Sequence, residues 1–547
     1  MAISQPRNAA PEATAESWLR IHIEAAAVFV CFLGFLARLW AASGTFLNPD
    51  EALHFRLANQ LSLALAYKES LTASHPPLLT FLLYFWRALG TSELWLRLPS
   101  VLAGAAFCWM FYKWFSNAAG DLAGFIALLF VALLPPIVLL STEVRQYALL
   151  LAFLASALYF LDDAFAKKSA ARMAAFTLCL YLAMLSHYSA FLFAAALGIY
   201  ALLRIFRERQ PASLASVWAI GQLGALALAI LLYKTHISKL GLGESRTVLQ
   251  GWMSEFFLRR SYFDSAHDNP LLFLVGHSFG VFQYFFGQLA VGDAIGLLFV
   301  VGVALLLRGK GFRYGRTSSR WLGIVLLLPF AIAGGASLAH VYPYGGTRHI
   351  AFLIIPGVAG ASVAMARLAA GRWARGLAIA AFVLVACIAF GKPRLPRMDR
   401  ADQSRMQMTA AMEFVKQNIA ASGLIFTDYE SDLILGHYLC QQQPISFETS
   451  SQDFEVFSCG YRVVSANYKS APLTSNSFVD LWNRLIETYR LKPGETVWIF
   501  QAGWQADLPE DLRRHFAEFH NLRFEQFGHN IKIFKMTVGQ PMPAAVP

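Results

Sequence analysis

Charge is what this sequence most lacks. Asp, Glu, Lys and Arg supply 14% of its 547 residues, against about a quarter in a soluble protein. That deficit excludes a soluble enzyme of this size. Hydrophobic residues make up 57% of the chain and the mean hydropathy is +0.48, which indicates a polytopic membrane protein. Cysteine is scarce. Cys31, Cys108, Cys179 and Cys387 lie in apolar runs and read as inert packing residues. Cys440 and Cys459 lie in a polar C-terminal part and are free to pair if that part is outside the cytoplasm. There is no Gly-rich nucleotide fingerprint and no internal repeat, and the second lack argues against a transporter built from related halves. The first apolar run begins near Ile21, is too long for a signal peptide and precedes no small-residue cleavage site, so no cleavable signal is expected. Acidic residues are outnumbered 34 to 45 by basic ones. This excess does not point to nucleic acid, because the basic residues sit in short loops between apolar runs, the pattern of cytoplasmic loops.

Apolar runs fall at 22–42, 76–90, 98–115, 121–140, 146–165, 173–203, 214–234, 271–307, 321–341, 350–367 and 374–391. The run at 173–203 exceeds one span and is broken by Ser186-His187-Tyr188, so it reads as two helices. Basic clusters at Lys167–Arg172, Arg204–Arg209, Arg308–Arg320 and Arg367–Arg375 mark inner loops. They agree with one another only if 76–90 and 271–287 lie at the outer surface instead of crossing. The expectation is about 11 crossings, a cytoplasmic N-terminus, and residues 1–391 as a transmembrane domain in the plasma (inner) membrane. Residues 392–547 are polar, with strand-like runs at 424–427, 462–465, 496–501 and 531–535 and a helical pattern at 477–490. That alternation predicts an extracytoplasmic α/β domain.

This topology gathers four polar clusters on one face: Asp50, Glu51, His54, Arg56 and His75; Glu143, Arg145 and Tyr147; His187 and Tyr188; and His340 through His349 with Arg348. Such a set supplies a base and ligands for an anion, which suits transfer of a group from a phosphate leaving group to a hydroxyl. A carboxylate deprotonates the acceptor hydroxyl, and Arg and His stabilise the charge growing on the departing phosphate. Asp50 is assigned as base, with Glu51 orienting it or helping to bind metal or acceptor. Arg145, His187 and Arg348 are phosphate ligands, and Glu143 holds Arg145. His75, Tyr147 and Tyr188 complete the substrate-binding set.

Asp50-Glu51 after the first span, followed by His75-Pro76-Pro77, resembles the protein O-mannosyltransferases and their aminoarabinose-transferring relatives. Arg97–Ser100 and Glu143-x-Arg145-x-Tyr147 resemble further segments of those families. The resemblance spans about residues 20–390. It implies a C-type membrane glycosyltransferase fold, a polyprenyl-phosphate sugar as donor, and Asp50 as the catalytic acid/base. The chain continues Leu78-Leu79-Thr80 where mannosyltransferases have Leu-Gly-Lys, which leaves donor sugar and acceptor open. A lipid, a glycan or a protein hydroxyl all fit as acceptor, and a divalent metal held by His340 and His349 with Asp50 or Glu51 is left open.

Plainer readings stand beside these. Asp50-Glu51 can cap a surface helix. Arg87 and Arg97 read as snorkelling residues, and Tyr342, Tyr344 and Trp95 as an interfacial belt. Asp428, Glu430 and Asp432 read as a solvated loop. The alternatives in function are a secondary transporter or lipid-linked sugar flippase, and a polysaccharide polymerase or ligase with a diphosphate donor.

Overall fold

The computed structural model describes residues 21–539, apart from 72, 240–257, 259, 310–316, 371, 392–402, 422, 441–442, 446, 452, 468–472 and 505. The basic loop expected at Arg308–Arg320 lies partly outside the described residues. Among those described, nine helices are long and apolar enough to cross a membrane, from Ile23–Ala42 to Trp373–Phe390. Two further expected crossings appear as the shorter helices Asp121–Leu133 and Ala170–Ser186. The two runs assigned to the surface form the short helices Leu78–Trp86 and Pro270–Phe286. The break at Ser186-His187-Tyr188 is as expected, with a new helix at Ala190–Arg207.

One interruption shows how polar backbone is satisfied inside the apolar part. Pro135 and Pro136 have no N–H to donate to the carbonyls of Val131 and Ala132, so the helix from Asp121 ends at Leu133. Arg38, fully buried in the first span, donates to those same carbonyls at 2.8 Å each. A guanidinium in a span thus finds backbone acceptors that proline has released.

The helix Tyr147–Lys167 sets the distance between the two faces. Its 21 residues rise about 30 Å, the depth of a hydrocarbon core. At its C-terminal end Asp163 pairs with Lys167 at 3.0 Å and Arg172 at 3.2 Å, and Asp162 with Arg204 at 3.4 Å. These basic residues are the ones read as inner loops. Arg145 and Tyr147 lie at the opposite end.

The polar C-terminal part is an α/β domain, as expected. Its strands are β1 (Leu424–Thr427), β2 (Phe447–Ser450), β3 (Phe454–Ser458), β4 (Arg462–Ala466), β5 (Thr496–Ala502), β6 (Phe524–Gln526) and β7 (Ile531–Thr537). They form one mixed sheet in the order β2-β3-β4-β1-β5-β7-β6, with β1 parallel to β4 and β5 and the outer pairs antiparallel. The four strands legible in the sequence are β1, β4, β5 and β7. The other three are short and lie toward the edges, where Glu, Ser and Gln dilute the apolar signal.

The domain is fastened to the segment after the first span. Phe46 donates its N–H to the Gln403 carbonyl at 2.9 Å, and Arg405 donates to Gly44 at 2.8 Å. The Tyr438 hydroxyl donates to Glu93 at 3.0 Å and accepts the Leu47 N–H at 3.1 Å. Asp428, Glu430 and Asp432 are not a solvated loop. They form the start of the helix Tyr429–Leu439, where carboxylates suit the positive end of the helix dipole. Asp428 caps it by accepting the Ser431 N–H at 2.8 Å, and buried Asp432 pairs with Arg56 of the helix Pro49–Ala58.

Cys440 and Cys459 form a disulfide with Cα atoms 5.1 Å apart, closing a loop of 19 residues in sequence separation. A loop of that size contributes about 3 kcal/mol on the chain-entropy view. Cys440→Ser is expected to lower the unfolding free energy by that amount. Chemical denaturation of the detergent-purified protein, with and without reductant, measures it. A variant as stable as the reduced wild type fits; one as stable as the oxidised wild type does not.

Candidate active site

The site begins with a helix cap. Asn48 accepts the Glu51 N–H at 3.0 Å, and Glu51 Oε2 accepts the Asn48 N–H at 3.0 Å, a reciprocal capping box opening the helix Pro49–Ala58. Glu51 is fully buried. Its Oε1 also accepts from Arg97 Nε at 2.7 Å and the Val144 N–H at 2.9 Å, and its Oε2 from Arg97 Nη2 at 2.6 Å. Protein donors therefore occupy both oxygens.

Arg97 is not a snorkelling residue. It is 2% exposed and donates to the carbonyls of Ala42, Thr45 and Phe46 at 2.9–3.0 Å besides Glu51. Its run is apolar because that helix face is packed, not because it meets lipid. Tyr344, assigned to an interfacial belt, is likewise buried, with its hydroxyl 2.7 Å from Ser278 Oγ.

With Glu51 turned inward, Asp50 faces the opposite way. Arg145 makes an ion pair with its Oδ2, and Arg348 Nη2 donates to the same oxygen at 2.9 Å. Residues from three distant stretches of chain thus meet at one carboxylate. The expectation that Glu143 holds Arg145 is replaced, because Arg145 pairs with Asp50. Burial acts to raise the Asp50 pKa, but the two guanidiniums prevail and hold it down at about 2.

Imidazoles line the next layer. The rings of His54 and His75 lie 5.6 Å apart, His75 and His187 5.5 Å, His187 and His349 6.5 Å, and Tyr147 and His187 5.2 Å. The His187 Nδ1 accepts the Ser189 N–H at 3.1 Å, so in the neutral ring the proton is on Nε2. The sequence had singled out His75, Tyr147, His187, Tyr188 and Arg348 separately. The structure brings His75, Tyr147 and His187 into ring contact and puts Arg348 on Asp50 itself. His54 and His349 are neighbours in the same array. Several polar atoms in and beside it are buried without a hydrogen-bond partner, among them His75 Nδ1, Arg145 Nε, Tyr147 Oη, Tyr188 Oη and Thr347 Oγ1. Buried donors of this kind are uncommon in a finished core and are what a polar ligand satisfies.

For a metal the fit is poor: among the described residues no group of three or more His, Cys, Asp or Glu side chains has the arrangement to hold an ion. His340, offered for that purpose, stacks on Tyr262 with ring centres 6.3 Å apart. Beside the site a cavity of about 620 Å³ opens between Arg260–Ser261, the helix Pro270–Phe286 and Gly346-Thr347, next to Arg348.

Residues 74–235 match the family described as dolichyl-phosphate-mannose-protein mannosyltransferase. The matched stretch contains His75-Pro76-Pro77, Arg97, Arg145 and His187. No curated protein matches the chain. Among solved structures the chain is similar to ArnT from Cupriavidus metallidurans bound to undecaprenyl phosphate, at 13% identity and a TM-score of 0.48, covering 97% of this chain and 100% of that one. It is also similar to the Archaeoglobus fulgidus oligosaccharyltransferase tethered with an acceptor peptide, at 10% identity and a TM-score of 0.49, covering 89% of this chain and 70% of that one. The family match bears out the resemblance read from the sequence. The matched stretch is that of a glycosyltransferase family, and the chain around it is a multi-span membrane protein.

Proposed function

We propose that this protein is an inverting glycosyltransferase that moves a sugar from a polyprenyl-phosphate donor to an acceptor hydroxyl on a lipid, a glycan or a protein outside the cytoplasm. The observation that carries the reading is one carboxylate, Asp50, held by two arginines from distant parts of the chain. Base and phosphate ligands are then the same cluster in two states. At rest, Arg145 and Arg348 are bound to Asp50 and make it a weak base. A donor phosphate competes for both guanidiniums, each suited to bidentate contact with phosphate oxygens. Asp50 is released beside the sugar as its partners transfer to the leaving group. The acceptor oxygen attacks C1 from the face opposite the phosphate, and its proton goes to Asp50. The C1–O bond breaks with its electron pair on the phosphate, where Arg145 and Arg348 meet the developing charge. Glu51 orients Asp50 through the capping box and Arg97. His75, His187 and Tyr147 face the donor, and Glu143 and Tyr188 flank it.

The same reading places the site and the C-terminal domain outside the cytoplasm and the N-terminus inside. The disulfide supports it, since such bonds persist in oxidising compartments. So do the basic clusters about 30 Å away at the other end of one helix. The test is incubation of the purified protein with radiolabelled polyprenyl-phosphate sugars and membrane extract. Labelled product from at least one donor is expected; no transfer from any of them removes the proposal.

A second measurement addresses the phosphate. Arg348→Ala and Arg145→Ala are each expected to weaken binding of undecaprenyl phosphate roughly 10–100-fold, the loss of a charge-assisted contact. Unchanged affinity in both variants ends the role of these residues as phosphate ligands.

A further inference from the structure

The soluble domain reaches the reacting carboxylate. Its helix Tyr429–Leu439 is fixed against Pro49–Ala58 by the Arg56–Asp432 pair. In the first turn of that helix sits Glu430. One carboxyl oxygen accepts the Trp504 backbone N–H, while the other, Oε2, is buried without a hydrogen-bond partner. Its position is defined by Gly503. A Cβ at Gly503 would stand 3.3 Å from Glu430 Oε2 and 3.2 Å from Cγ of Pro49, the residue before Asp50. Gly503 has a φ of +134°, where a side chain is strained, so the loop after β5 is shaped to make this close approach. The nearby guanidiniums are engaged elsewhere: Arg145 and Arg348 with Asp50, Arg56 with Asp432. Burial, then the Asp428 and Asp50 carboxylates, push the Glu430 pKa up to about 8. At neutral pH Glu430 is therefore mostly a carboxylic acid, an O–H donor in need of an acceptor atom.

We propose that Glu430 is an acceptor-contacting residue, placed by the soluble domain to hydrogen-bond the acceptor beside the hydroxyl that Asp50 deprotonates. This rests on the transferase reading above and adds to it a residue outside the membrane domain. Asp50 is approached from two sides. Arg145, Arg348 and the imidazoles form the donor side, while the helix Tyr429–Leu439 and Gly503 form a side with carboxyl groups and no arginine of their own. An incoming uncharged polyol suits the second side, and the anionic donor suits the first. The soluble domain thereby acquires a specific role, to present one hydrogen-bond donor to the acceptor.

The test uses the full-length protein with radiolabelled undecaprenyl-phosphate mannose, glucose and aminoarabinose as donors and graded amounts of membrane extract as acceptor source. Undecaprenyl phosphate binding is measured in parallel. Glu430→Ala is expected to raise the amount of extract needed for half-maximal transfer roughly tenfold, with undecaprenyl phosphate affinity unchanged. Glu430→Gln keeps an N–H donor and is expected to recover most of that loss. If Glu430→Ala proves unstable, Glu430→Met, apolar and of similar length, is expected to behave as alanine does. Wild-type extract dependence in the alanine or methionine variant overturns the inference and leaves the transferase reading intact. So does a loss of undecaprenyl phosphate affinity, which would put Glu430 on the donor side. Absence of transfer by the wild type from every donor removes the transferase reading and this inference with it.

Discussion

Asp50→Asn is expected to reduce turnover roughly 10²–10⁴-fold, the contribution of a positioned general base. Its effect on binding has the opposite sign. Asp50 pairs with Arg145 and Arg348; on the proposed mechanism it competes with the donor phosphate for them, so removing its charge is expected to tighten undecaprenyl phosphate binding while turnover collapses. A residue acting only as a structural anchor would lose both together. Retention of more than about a tenth of wild-type turnover is incompatible with the range for a base, and weaker binding would refute the competition.

The pH profile of the wild type carries the same logic. In the free protein the Asp50 pKa is held at about 2, so the carboxylate is ionised throughout the range in which the enzyme is handled. The stability it contributes through its arginines is present above the unfolded value near 3.9 and is lost only as pH falls through about 2. On the proposed mechanism donor phosphate takes the arginines, and the Asp50 pKa is then expected to climb. The acid limb of kcat, which reports the bound complex, is therefore expected at higher pH than the acid limb of kcat/KM, which reports the free enzyme.

The membrane architecture was legible because its signals are local. An apolar run, a basic loop and a helix break at Ser186-His187-Tyr188 each declare themselves within a few residues. The polar clusters were legible as a set because topology alone puts them on one face. Their pairing was not. Glu51 and Arg97 are 46 residues apart in sequence, and an arginine in an apolar run looks the same whether it reaches headgroups or a buried carboxylate. The acidic stretch at Asp428–Asp432 looked solvated because its partner, Arg56, belongs to the other domain. What sequence does carry there is the spacing of Asp428 and Ser431, a helix N-cap. A cap predicts a packed helix instead of a loop. Glu430 had no local signal at all, since its significance comes from the soluble domain folding back over Pro49.

Glu51→Gln is expected to cost roughly 3–5 kcal/mol of stability, the effect of removing one partner from a buried ion pair. Glu51 and Arg97 are both essentially inaccessible, and their hydrogen bonds hold the first span, the start of the helix Pro49–Ala58 and Val144 together. Glutamine keeps the shape but leaves the Arg97 charge uncompensated among carbonyls. Activity should fall as well, because Asp50 is aimed by the turn that Glu51 closes, so activity alone does not separate positioning from catalysis. A double substitution does. Glu51→Leu with Arg97→Met removes both charges, and if the pair is structural it should be more stable than either single variant, with a coupling energy readable from a thermal or denaturant cycle. Glu51 is not the proton acceptor on this account, since protein donors occupy both its oxygens. The opposite pattern, Glu51→Gln as stable as wild type yet as inactive as Asp50→Asn, would return Glu51 to the reaction and leave Asp50 as its support.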